Sequence, residues 1–79
     1  MNKKLRGLLA KLAEESGEVV QASMKVQQGS GSLRALEDEV GDLLAGINVL
    51  CASGLVDAAR IHARSKRKVR CYTRWFLGD

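Results

Sequence analysis

Apolar residues recur along this chain at spacings of three and four, the period of a helix that buries one face. The first run is Leu5, Leu8, Leu12, position 15, Val19, Ala22 and Val26, and the second is Leu33, Leu36, Val40, Leu43, Ile47 and Leu50. Between them lies Gly29-Ser30-Gly31-Ser32, the clearest breaker in a chain that has no proline. Its last residue, Ser32, is a good N-cap for a helix starting at Leu33. A softer break at Ser53-Gly54 puts a glycine where a helix C-cap suits one. The pattern predicts helices over about 3–28, 33–53 and 55–72, with 73–79 either extending the third or folding back. No alternation of period two competes. The expected fold class is therefore all-α: an antiparallel hairpin of two long helices plus a third helix.

Length changes this picture. A chain of 79 residues makes one domain and buries only roughly 60–65% of its unfolded surface. Domains this small usually draw on disulfides, a metal or partner subunits. Cys51 and Cys71 are the only cysteines and have no metal-ligand spacing, which reads as free thiols in a reducing compartment. A lone hairpin leaves much of both apolar faces wet, whereas two hairpins close a four-helix bundle. The expected assembly is a homo-oligomer, a four-helix-bundle dimer or a dimer of dimers (a tetramer). The longest apolar stretch, Leu43 to Val56, falls short of the ~20 residues that a bilayer demands. No uninterrupted apolar segment follows Met1-Asn2-Lys3-Lys4, as a secretory signal would require. The expectation is a soluble, cytoplasmic protein with no membrane partner.

The net charge of +4 conceals a segregation. Residues 1–13 carry four basic side chains and no acid; residues 14–42 hold seven acids against Lys25 and Arg34; residues 43–79 carry seven basic groups against Asp57 and Asp79. An acidic middle between basic ends suits a site that holds both cations and phosphates.

The residues that interrupt the apolar faces carry the chemistry. Position 15 should be apolar, and it is Glu15. At about 100° per residue Glu15 lies roughly 60° from Leu12, inside the apolar arc, with Glu18 one turn on at its edge. In the second helix Glu39 falls roughly 40° from Leu43, and Asp42 lies beyond it on the same flank. Glu14, Glu37 and Asp38 point elsewhere. Unpaired buried carboxylates cost several kcal/mol and repel one another, unless protonated, paired with a cationic side chain or bound to a metal. Four carboxylates converging from two helices form an all-oxygen cage suited to Mg²⁺ or Mn²⁺. Di-iron bundles also need a His three residues after a Glu, which is absent here.

The run Lys11-Leu12-Ala13-Glu14-Glu15-Ser16-Gly17-Glu18-Val19-Val20, followed by Leu36-Glu37-Asp38-Glu39-Val40-Gly41-Asp42-Leu43-Leu44, resembles the MazG-like nucleotide pyrophosphohydrolases. Their signature is E-E-x-x-E followed, after a variable gap, by E-x-x-D; here the gap is 20 residues and the match spans about residues 5–70. The resemblance implies an all-α bundle that assembles as a dimer or dimer of dimers. It also implies Mg²⁺-dependent hydrolysis of nucleoside triphosphates to the monophosphate and pyrophosphate. It makes Glu15, Glu18, Glu39 and Asp42 the metal ligands, the same four that interrupt the apolar faces. Glu14 would hold a second metal or orient water. Similar proteins place Lys and Arg after the second acidic motif to grip the triphosphate; Lys66 with Lys68 or Arg70 match best, and Lys25 is another candidate.

Some features stand outside that reading. Tyr72, Trp75 and Phe76 suit a subunit interface better than a base-stacking platform, and His62 suits a solvated surface. The chain is short for the family, so whatever encloses the base must come from another subunit or be missing. The basic third helix also suits a nucleic-acid-binding module, but acids inside both apolar faces would repel a phosphate backbone. An inactive bundle that binds nucleotide without hydrolysis is a further alternative, and phosphoribosyl-ATP pyrophosphohydrolase is a related enzymatic one.

Overall fold

Each helix starts on a side-chain cap. Asn2 is extended and its Oδ1 accepts a hydrogen bond from the Leu5 N–H at 2.9 Å, opening α1 (Lys3–Gln27). Ser32 does the same for α2 (Leu33–Ala52), its Oγ accepting from the Ala35 N–H at 3.1 Å. The computed structural model describes residues 1–78; Asp79, counted above among the acids, lies outside them.

The loop between α1 and α2 is tight for a stated reason. The N–H groups of Ser30 and Gly31 both donate to the Lys25 carbonyl, at 2.9 and 3.1 Å, folding the chain back onto the end of α1. Gly29 takes φ +77°, and a Cβ at Gly31 would stand 2.8 Å from the Cβ of Lys25. The two helices therefore run antiparallel and pack along their length.

Two sequence expectations need correction. The third helix does not start at residue 55: α3 runs Ala58–Tyr72, because Asp57 caps it, with Oδ1 accepting from the Arg60 N–H at 3.1 Å. Leu55 and Val56 belong to the turn after Gly54. Nor do Leu33 and Val40 belong to the α1–α2 seam; they are 65% and 45% exposed. Val40 lies roughly 60° from Leu43 on the side away from Glu39, so Glu39 takes the seam position instead. The remaining seam residues, Leu5, Leu8, Leu12, Val19, Ala22 and Val26 against Leu36, Leu43, Ile47 and Leu50, are half-buried as expected. Residues Thr73–Gly78 continue α3 as a π-helical segment, which decides between extension and fold-back.

The result is all-α, with no strand among the described residues, and it has no closed core. No apolar side chain among the described residues is buried; the one buried residue is Glu15. The radius of gyration is 14.8 Å, against roughly 12 Å for a compact chain of this length. The accessible surface is 6403 Å², against about 4,700 Å² for a compact monomer of this mass. The excess lies in two places. One is the hairpin face opposite the carboxylates, where Val20, Met24, Val40 and Leu44 are exposed. The other is α3, which packs along neither hairpin helix. Among the described residues, no helix is long and apolar enough to cross a membrane.

Candidate metal centre

The hairpin seam puts acids where its packing calls for apolar residues. Glu15 sits one turn after Leu12 and is 7% exposed. Glu18, one turn further, and Glu39, across on α2, are half-buried, while Asp42 opens to solvent at the mouth. One oxygen from each of the four lies within 4.8 Å of the others. The sequence reading placed these residues together, and the structure brings them together.

The electrostatics are unbalanced. Glu15 Oε2 and Glu39 Oε2 are buried without a hydrogen-bond donor, a costly condition for a carboxylate. The Glu39 carboxylate beside Glu18 raises the Glu18 carboxyl above its ordinary 4.5, with burial and Glu14 adding to the rise and a contact with Glu15 opposing it. Such a cluster could hold a metal cation. The donor set is all oxygen, which selects hard cations over thiolate- or imidazole-seeking ones.

Two grooves flank the cluster. One, of about 290 Å³, is bounded by Glu18, Gln21, Lys25, Gly31, Ser32 and Glu39. Lys25 is thereby held beside the carboxylates through the tight loop on its own carbonyl, without forming an ion pair among the described residues. The second groove lies on the other side, between Leu8, Lys11, Glu15, Asp42 and Gly46.

Other candidates fall elsewhere. Glu14 is outside the cluster; its carboxylate, 56% exposed, accepts from Lys11 Nζ at 3.1 Å. Lys66 and Arg70 border a shallow depression on α3 with Ser65 and Val69, and the Lys68 ammonium stands 5.8 Å from the Tyr72 ring centroid. Within one chain none of these three lines either groove beside the carboxylates. Tyr72, Trp75 and Phe76 cluster with one another at the end of α3, with ring centroids 5.8 to 6.3 Å apart, and remain exposed.

The sequence reading missed Lys11. Its Nζ reaches Glu14 at 3.1 Å and Glu15 at 3.3 Å, and these contacts, Glu14's first, raise the ammonium above its ordinary 10.5. The signal was available, since residues three and four apart share a helix face.

A family model for the MazG nucleotide pyrophosphohydrolase domain matches residues 3–71. No curated protein and no solved structure matches the chain. The match covers all three α-helices but the last residue of α3, and with it both acidic motifs and the basic stretch of α3. The chain therefore belongs to the MazG nucleotide pyrophosphohydrolase domain family.

Proposed function

We propose that this protein is a Mg²⁺-dependent nucleoside triphosphate pyrophosphohydrolase, converting a (d)NTP and water to the (d)NMP and pyrophosphate, and that it works as a cytoplasmic homo-oligomer. The observation that carries this reading is the convergence of Glu15, Glu18, Glu39 and Asp42 within 4.8 Å, two of them holding a buried oxygen with no donor. A structural seam gains nothing from such a cluster, whereas a divalent cation satisfies it. Membership of the MazG family supports the nucleotide and the pyrophosphate leaving group.

Glu15, Glu18, Glu39 and Asp42 would hold the cation, with Mn²⁺ able to replace Mg²⁺ on the same oxygen donors. When bound, the cation neutralises phosphate charge and acidifies a water. The chain's own groups do the rest. A glutamate of the site takes a proton from the water as its oxygen bonds to the α-phosphorus. The bond from that phosphorus to the bridging oxygen breaks, and pyrophosphate leaves. Lys25, beside Glu18 and Glu39, offsets charge on the departing group. Glu14, one turn before Glu18 and outside the cluster, would orient the water or hold a second metal.

Oligomerisation completes this reading. The chain exposes about 1,700 Å² more than a compact monomer would, on the scale of a subunit interface. A second hairpin laid on Val20, Met24, Val40 and Leu44 would close a four-helix bundle. Lys66, Lys68 and Arg70, which do not reach their own chain's carboxylates, would serve the triphosphate across that assembly. The test is pyrophosphate release from a panel of NTPs and dNTPs with Mg²⁺ or Mn²⁺, with Glu39→Gln as control. No release from any of them by the unaltered chain would sink the proposal.

A further inference from the structure

We infer that Lys11 is the built-in counter-cation of the carboxylate cluster, which it yields to the metal and then turns toward the substrate's phosphates. This rests on the proposal above that the cluster takes a divalent cation and the chain a nucleoside triphosphate. Among the described residues, Lys11 makes both ion pairs, to Glu14 at 3.1 Å and to Glu15 at 3.3 Å. The pairing is asymmetric. The Glu15 side chain is 9% exposed and fixed in the seam, while that of Lys11 is 60% exposed on a flexible four-carbon stem. One partner can leave and the other cannot.

A divalent cation held by Glu15 brings two positive charges to Lys11's ammonium at about the distance of that ion pair. Lys11 holds Oε1 of that carboxylate and a cation would take up the donorless Oε2, so the two positive charges would repel across one group and drive the flexible ammonium outward. Its path is set by the groove it borders, between Glu15, Asp42, Leu8 and Gly46, on the far side of the cluster from Lys25. A phosphate brought to the metal-loaded cluster from that groove would supply the negative charge that Lys11 has lost. Lys11 therefore opposes metal binding to the free protein and favours binding of metal together with nucleotide. The two ligands become coupled through one side chain, and such coupling is reciprocal.

The experiment is calorimetry of Mn²⁺ alone on the unaltered chain, Lys11→Met and Lys11→Arg, followed by titration of each, saturated with Mn²⁺, with a non-hydrolysable α,β-methylene nucleoside triphosphate. Lys11→Met should bind Mn²⁺ about two- to fivefold tighter, the scale of a partly exposed ion pair removed. It should bind the analogue several-fold more weakly, and Lys11→Arg should sit near the unaltered chain in both. Unchanged Mn²⁺ affinity in Lys11→Met overturns the counter-cation role; tighter Mn²⁺ with unchanged analogue affinity overturns the transfer to phosphate. No Mn²⁺ binding by the unaltered chain would instead remove the metal reading beneath it. Both readouts are binding, so they stand apart from whether the chain hydrolyses anything.

Discussion

Replacing Glu15 with leucine should stabilise the metal-free protein while abolishing its response to metal. The glutamate side chain is 9% exposed, sits in the seam between Leu12 and Val19, and carries one buried oxygen without a donor. Leaving such an atom unsatisfied costs about 1–3 kcal/mol. Its other oxygen is partly compensated by Lys11, an ion pair with one exposed partner and so of modest worth. Exchanging a buried charged group for an apolar one of similar size is often neutral or stabilising by about 1–4 kcal/mol. The expected net gain for Glu15→Leu is about 2 kcal/mol, which in a domain this small raises the melting temperature by roughly 8–16 °C. The unaltered chain should gain in turn from metal, by about 2.7 kcal/mol at a hundred times Kd, and the variant should gain nothing. Thermal unfolding followed by circular dichroism, with EDTA and then with Mg²⁺ at one fixed protein concentration, measures both. A variant that melts at or below the unaltered chain in EDTA would refute the reasoning, because Glu15 would then be contributing to the fold rather than straining it.

Three further outcomes follow from the same structure. Because Glu18's carboxyl is raised above 4.5, the folded metal-free chain holds that proton more tightly than the unfolded chain does. Its stability contribution is present at low pH and fades as pH rises through the raised value, while metal affinity climbs over the same window with proton release; calorimetry in two buffers of different ionisation enthalpy reads the proton. Gly31→Ala should cost about 1–3 kcal/mol in denaturant unfolding, since its Cβ would press to 2.8 Å of the Lys25 Cβ. Leu44→Asp, on the exposed apolar hairpin face, should shift the assembly toward monomer in sedimentation; an unchanged oligomer would place the interface elsewhere.

What the sequence determined by itself was periodic and local. Helix period, the glycine-serine break and the caps depend on residues a few positions apart, so three helices and a hairpin could be read from spacing, as could the angular position of Glu15, Glu18, Glu39 and Asp42. Even the error at the start of α3 was local, because Asp57 offers a better N-cap than the residues after Gly54. Tertiary structure alone decided the rest, because angle on a wheel does not state distance across a seam. It showed which flank of α2 faces α1, and so left Val40 outside and drew Glu39 in. It turned four acids into a cluster within 4.8 Å, put Lys11 on Glu15, and set Lys25 beside the carboxylates through a loop only Gly31 permits. It also held Lys66, Lys68 and Arg70 away from them, since α3 packs along neither helix of its hairpin. Charge and period are properties of a chain; the point where charges meet is a property of its packing.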